Sequence, residues 1–347
     1  MAESAKIKLG SLVTAERKHK WQPHRPRAPL LSTGTTLPTL MSTEEEWDDE
    51  PAVASIRPVY REVFRNITLS DAVTLSSEGT QQLKIGRDGF TYGETALGSV
   101  WRVMNRCDLA AYRCRCAEPQ LAPSRQRHDA AGLAYLHERG GTTIWEFEGD
   151  DGEARCMLCT KRPAGASIID LGSGIGNVVI GIALIAASGA LGADFHVAAV
   201  HGVELLPTLH DVAVDATRGL RQWAATAAQK KAPTSAAVAG AAAAAPATSS
   251  APPPSQPLPR VSVQRANLED YDLSDVDVVY MASTVFEDDV IERFAARAAA
   301  TLRVGSRVVT LASPLRHVAF RVEAVVPCIN SWGEEDAYVN VVIEPGT

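Results

Sequence analysis

Apolar and polar positions change rhythm several times along this chain. Between Ser167 and Ala186, "SIIDLGSGIGNVVIGIALIA", a short apolar run carrying one acid gives way to three glycines at alternate positions and then to a long apolar segment. That order predicts a buried strand, a tight turn and a buried helix. Downstream, "FHVAAVHGVE" (195–204), "PRVSVQRANLED" (259–270), "DVDVVYMAS" (275–283) and "GSRVVTLAS" (305–313) predict further strands. "EDDVIERFAARAAATL" predicts a helix with Val290, Ile291, Phe294 and Leu302 turned inward. Alternation of strand and helix from Ser167 onward argues for a parallel sheet with helices on its faces. The closing stretch, "VEAVVPCINSWGEEDAYVNVVIE", holds two β-branched runs around a polar turn, which predicts an antiparallel pair at the sheet edge. Upstream, "VYREVFRNIT" has helical spacing, "DGFTYGET" reads as a turn-rich loop, and "ALGSVWRVMNRC" sets Leu97, Val100, Trp101 and Met104 at helix intervals.

These patterns divide the 347 residues into a tail at 1–55, a helical and loop part at 56–106, an insertion at 107–160 and a sheet domain at 161–347. An Ala/Pro/Ser linker at 229–259 interrupts the last; from 232 to 259 it contains no charged or aromatic residue. The tail is rich in Pro, Thr, Ser and charge and lacks a sustained period, so disorder is expected there. Net charge is −7, unevenly placed: residues 6–27 are basic, and Glu44 to Glu50 is nearly continuous acid around Trp47. Both stretches suit a solvated tail, or alternatively an arm that touches nucleic-acid phosphates beside an acidic segment suited to histone-like surface. Six cysteines with no secretory leader suggest a reducing compartment. No run is long and apolar enough for a spanning helix, so no membrane association is expected.

Candidate chemistry gathers at the strand ends. Asp170 closes the first strand, and Gly172, Gly174 and Gly176 follow it in a turn where a ligand can approach closely. Glu204 ends the second strand, placed to accept hydrogen bonds from both hydroxyls of a ribose; its charge disfavours a 2′-phosphate. An acid at position 170 suits a cationic, amine-bearing ligand such as S-adenosyl-L-methionine better than a pyrophosphate. The bland alternative is that Asp170 caps the turn by accepting backbone N–H bonds. Asn267 and Leu268, after the third strand, could seat an adenine by its edge and its face.

Four segments resemble the disruptor-of-telomeric-silencing type of histone H3 lysine methyltransferase, a family without the SET fold: "FTYGETALGSVWRVM", "DLGSGIGNVV", "VHGVE" and "INSWGEEDAYVNVVI". The likeness covers about 90–106 and 165–343, less the linker. It implies an α/β fold of the class I S-adenosylmethionine-dependent methyltransferases, a Rossmann-like seven-stranded sheet with an antiparallel last strand. It also implies that Tyr92, Glu94 and Thr95 cover the methionine end of S-adenosyl-L-methionine, and that Asp170, Gly172, Ser173, Gly174, Gly176 and Asn177 line its amino-acid portion. Glu204 would hold the ribose, with Asn267 and Leu268 at adenine. Phe286 and Tyr338 would wall an aromatic lysine channel, or pack in the core. The family's paired asparagines fall on Ala282 and Ser283 in this chain, so Ser283 or Thr284 would have to supply the polar contact near the reacting methyl. The partner so implied is histone H3 in nucleosomes, in the nucleus.

Two features stand apart. Cys114 with Cys116 and Cys156 with Cys159 could complete a structural zinc site, or be free thiols. Arg102, Arg106, Arg113, Arg115, Arg125 and Arg127 make a solvated face or a patch for nucleosomal DNA. Methylation of another protein or a small molecule, and a non-catalytic adaptor keeping the fold, are the competing readings.

Overall fold

A computed structural model describes residues 50–83, 93–109, 145–148, 153–156, 165–192, 195–231 and 256–344. The N-terminal part holds helices α1 (Arg57–Val63), α2 (Leu69–Leu83) and α3 (Leu97–Met104). A reciprocal cap starts α2: the Thr68 N–H donates to Asp71 Oδ2 at 2.8 Å, and the Asp71 N–H donates to Thr68 Oγ1 at 3.1 Å. The hairpin β1 (Trp145–Glu148) and β2 (Glu153–Cys156) forms a separate two-stranded antiparallel sheet. Residues 1–49 of the tail, most of the 107–160 insertion and residues 232–255 of the linker lie outside the described residues, as do the side chains of Cys114, Cys116, Cys156 and Cys159. The end of the expected tail is folded: Pro51–Val53 form a 3-10 helix, and Val53 is buried in the core.

The main sheet is built from β3 (Ala166–Leu171), β4 (Val197–Glu204), β5 (Arg260–Arg265), β6 (Val278–Met281), β7 (Arg307–Leu311), β8 (Phe320–Asn330) and β9 (Gly333–Val342). Helices α4 (Asn177–Ser188), α5 (Pro207–Lys231) and α6 (Asp288–Thr301) connect them. The strand order is β5-β4-β3-β6-β7-β9-β8. All neighbours run parallel except β9, which is antiparallel to both β7 and β8. Seven strands in this order with the final one reversed are the class I S-adenosylmethionine-dependent methyltransferase fold. The predicted antiparallel pair is present at the edge, with β9 slotted inside β8.

Residue type explains the layers. Every residue of the central strand β3 is buried, as expected for a strand covered on both faces. One face carries Ile168, Val278, Tyr280, Val309 and Val339 against Ile180 and Leu184 of α4, Leu97 of α3 and Leu220 of α5. The other carries Ile169, Leu171, Val279, Met281 and Val308 against Phe294, Ala295 and Ala298 of α6. Helix α4 is apolar on all sides and buried along nearly its full length, because the sheet lies under it and α3 lies over it. In α6 the inward residues are Phe294 with three alanines, while Val290 and Ile291 are only half-buried. Small alanines let this helix sit close to the sheet.

Candidate active site

The chemistry collects at the carboxyl ends of β3, β4 and β6, where ligands of open α/β sheets bind. After Leu171 the chain turns sharply with Gly172, Gly174 and Gly176 at φ +80°, +56° and +86°, values that only glycine adopts without strain. The N–H groups of Gly172 and Ser173 donate to the Val203 carbonyl at 2.8 and 3.0 Å, which ties the turn to the end of β4. A Cβ on Gly172 would lie 3.4 Å from the Phe286 ring tip, so Phe286 covers the turn. Ser173 fills the room left by Gly202 on β4.

The two acids divide their work differently from the bland alternative for Asp170. Glu204, 6% exposed, takes the turn-holding role: its Oε2 accepts from the Gly174 N–H and its Oε1 from the Leu206 N–H, each at 2.8 Å. Burial raises the pKa of its carboxyl, opposed by the Leu206, Gly174 and Leu205 N–H groups and by His210. Each carboxylate oxygen has a further lone pair for a ligand hydroxyl. Asp170, 2% exposed, accepts no hydrogen bond from the described residues. Burial first, and then the neighbouring Glu204 carboxylate, hold its pKa well above the ordinary value.

Gly93–Thr95 and the "INSW" turn, over 230 residues apart in sequence, meet beside these acids. Thr95 forms an antiparallel bridge with Asn330. It is flanked by the Ala96 N–H donating to the Ile329 carbonyl at 2.9 Å and the Ser331 N–H to the Glu94 carbonyl at 2.8 Å. The Glu94 N–H also donates to Ser331 Oγ at 3.0 Å. The Tyr280 hydroxyl donates to Thr95 Oγ1 at 3.1 Å, and Tyr280 pairs in register with Asp170. Gly93 lies on the Trp332 indole, where a Cβ would fall 2.2 and 2.3 Å from two ring carbons. We therefore expect Gly93→Ala to push the loop off the turn. Overpacking of this kind costs about 1–3 kcal/mol, and isothermal calorimetry should show roughly tenfold weaker binding of S-adenosylhomocysteine with only a small drop in melting temperature.

Other predicted residues are spread around this centre. Tyr92 lies outside the described residues. Asn177 opens α4; its Oδ1 accepts from the Val178 N–H at 2.9 Å. Asn267 follows β5, with its Oδ1 accepting from the Glu269 N–H at 3.1 Å, and Leu268 is half-buried on the α6 face. Ser283 is buried with its hydroxyl committed to backbone: it donates to the Leu311 carbonyl at 2.8 Å and accepts from the Leu311 N–H at 3.1 Å. Thr284 is half-buried in the short 3-10 turn Ser283–Val285. Tyr338 stands opposite Thr310, next to Met281 in register, and so projects on the α6 face, away from Asp170 and Tyr280. Phe286 packs on that same face, and among the described residues no ring contact joins it to Tyr338.

Sequence reasoning missed Tyr280, Asn330 and the Gly93–Trp332 contact. An aromatic inside an apolar strand and an asparagine at a turn carry no functional signal of their own.

Several buried polar atoms at this centre have no partner among the described residues: Ser173 Oγ, Asn177 Nδ2, both amide atoms of Asn330, and Trp332 Nε1. Groups of this kind are normally satisfied, so their concentration around a glycine turn and a buried, unpaired acid fits a polar ligand carrying donors and acceptors. Among the described residues no group of three or more His, Cys, Asp or Glu could hold a metal ion. A surface groove of about 390 Å³ between α1 and α5, lined by Val59, Asn66, Trp223 and Thr226 among others, contains no residue of the glycine turn.

No family model matches the chain, and no curated protein matches its sequence. Among solved structures it is similar to an RNA methyltransferase from Salinibacter ruber in complex with S-adenosyl-L-homocysteine, at 17% identity over 52% of this chain and 82% of that one, with a TM-score of 0.31. TrmN from Thermus thermophilus matches at 14% identity over 51% of this chain and 44% of its own, with a TM-score of 0.31. The tRNA methyltransferase TrmK from Bacillus subtilis matches at 12% over 53% and 62%, again with a TM-score of 0.31. What assigns this chain its fold is its own strand order.

Proposed function

We propose that the protein is an S-adenosyl-L-methionine-dependent methyltransferase whose acceptor is a lysine of histone H3 in nucleosomes. The observation that carries the donor half is the pairing of a buried Asp170, which accepts no hydrogen bond from the described residues, with a glycine turn and a second buried acid, Glu204, at adjacent strand ends. Asp170 is placed to receive an α-ammonium group, Glu204 to accept from ribose hydroxyls, and Asn267 with Leu268 to border adenine. Glu94 and Thr95, held on the β8–β9 turn, cover the methionine end. The bound donor supplies a methyl group on a sulfonium, open to in-line displacement by a nitrogen.

The chain's contribution is to align the acceptor nitrogen, exclude water and keep that nitrogen neutral. An apolar approach past Phe286, which covers the glycine turn, disfavours an ammonium ion by desolvation, so attack needs no dedicated base; Tyr338, on the α6 face, is not part of it. Support for histone lysine as acceptor is the sequence likeness of four segments, two of which meet beside Asp170 through Glu94–Ala96 and Ile329–Ser331. Location in the nucleus, and contact of basic segments with nucleosomal DNA, belong to the same proposal. One observation favours a different acceptor: Ser283, standing where the family has asparagine, is tied to Leu311 rather than aimed at a substrate.

The test is transfer of labelled methyl from S-adenosyl-L-methionine to recombinant nucleosomes, free histones and a protein-plus-metabolite extract. Label on nucleosomal H3 is the expected result. Silent nucleosomes with a labelled extract component would select another acceptor, and absence of both label and donor binding would end the enzyme reading.

A further inference from the structure

Among the described residues, Asn330 has both polar atoms of its side chain buried and unpaired. It is 2% exposed, and neither its Nδ2 nor its Oδ1 has a hydrogen-bond partner among the described residues. Its position is well defined. It ends β8 and faces Thr95 across an antiparallel bridge, and directly opposed residues in such a pair project to the same side. Thr95 Oγ1 receives the Tyr280 hydroxyl at 3.1 Å, so that side is the one bearing Tyr280. Register agrees: Cys328 and Val326, two and four residues earlier on β8, belong to the same core as Tyr280. Tyr280 in turn pairs with Asp170, a buried acid that accepts no hydrogen bond from the described residues.

We propose that Asn330 is a further donor-binding residue, its amide taking the α-amino-acid head of S-adenosyl-L-methionine or S-adenosylhomocysteine opposite Asp170. A zwitterion offers what an empty primary amide needs: the ammonium donates to Oδ1, and the carboxylate accepts from Nδ2. Asp170 by itself can hold only the ammonium and would repel the carboxylate, so a donor such as Asn330 Nδ2 is required nearby. No neighbouring side chain within the cluster relieves this amide, whereas a buried hydrophobic role would have been filled by an apolar residue. The inference rests on the methyl-donor reading and deepens it.

Calorimetry should compare S-adenosylhomocysteine with 5′-methylthioadenosine, which shares the nucleoside and the sulfur but lacks the amino-acid head. For the wild-type chain the former should bind more tightly. In Asn330→Leu, affinity for S-adenosylhomocysteine should fall about tenfold or more while affinity for 5′-methylthioadenosine stays within about twofold. The melting temperature of ligand-free Asn330→Leu should be equal to or above that of the wild type, because an unpaired amide is replaced by an apolar group of similar size. Should Asn330→Leu fail to fold, Asn330→Asp serves, since a carboxylate there repels the ligand's own carboxylate and predicts the same selective loss. Unchanged binding of S-adenosylhomocysteine overturns the proposal, and so does an equal loss for both ligands. A wild-type chain that binds neither ligand would instead remove the methyl-donor reading on which this one stands.

Discussion

Asp170→Asn is expected to stabilise the ligand-free protein at neutral pH while weakening S-adenosyl-L-methionine binding about 10- to 100-fold. The carboxyl is buried and sits beside a second acid, Glu204, so its pKa in the folded chain is raised well above the ordinary 3.8, and it accepts no hydrogen bond from the described residues. The sign of the pH effect follows from linkage. Between the unfolded pKa and the raised folded pKa the native state keeps a proton that the unfolded state has lost, so stability is full below about 3.8 and declines as pH rises through the folded value. Asparagine has no such proton and escapes the decline. The same substitution removes the charge that would pair with an α-ammonium, a contact of about 1.5–3 kcal/mol, which gives the affinity loss. Binding of the cationic donor should in turn favour the ionised acid and release a proton, visible as a dependence of the calorimetric heat on buffer ionisation enthalpy. Thermal melts across pH together with calorimetry check all of this; an asparagine variant less stable than wild type at neutral pH would show that Asp170 is held by partners and is not waiting for one.

Glu204→Ala is expected to lose both stability and donor affinity, the opposite pairing of effects. Removing this side chain strands the N–H groups of Gly174 and Leu206, which donate to its two oxygens at 2.8 Å in a buried site. Each stranded donor costs about 1–3 kcal/mol, partly offset by removal of a buried acid, for a net loss of about 2–4 kcal/mol. In a domain of this size that corresponds to a melting temperature lower by roughly 5–10 °C. Without its anchor at Gly174 the turn should also release the donor's ribose. Differential scanning calorimetry and ligand-binding calorimetry measure the two losses, and wild-type values for both would contradict the assigned role. Asp170 and Glu204 are thus separable by the sign of their stability effects.

Much of the sheet was legible because its signals are local. The apolar runs ending at Asp170 and Glu204 read directly as strands, and the alternate glycines as the turn between β3 and α4. Helix α2 had a local signal that the reading passed over, the Thr68–Asp71 capping box, because its apolar stripe is weak and Ser and Thr fill much of its length. What could not be read locally was the meeting of Thr95 with Asn330 or of Gly93 with Trp332, each depending on a closure of more than 230 residues. Neither could the sequence distinguish which acid holds the turn. Both Asp170 and Glu204 end apolar strands, and only the position of the Gly174 N–H beside Glu204 separates an occupied carboxylate from an unpartnered one. Ser283 shows the reverse error of reading: a hydroxyl at a strand end suggests chemistry, yet here it closes a gap between the end of β6 and the end of β7.

The reversed strand β9 also governs when the site can exist. Strand β8 is synthesised first but joins the backbone ladder of the sheet only across β9, so its place in the sheet is not fixed until β9, ending at Val342, has been made and inserted. Thr95 and its neighbours, made hundreds of residues earlier, wait in turn for the end of β8. A nascent or refolding chain can thus carry both acids and the finished glycine turn while its methionine-end cover is still unattached, which makes ligand capture a late event and a sensitive report that the last ten-residue strand has been threaded home.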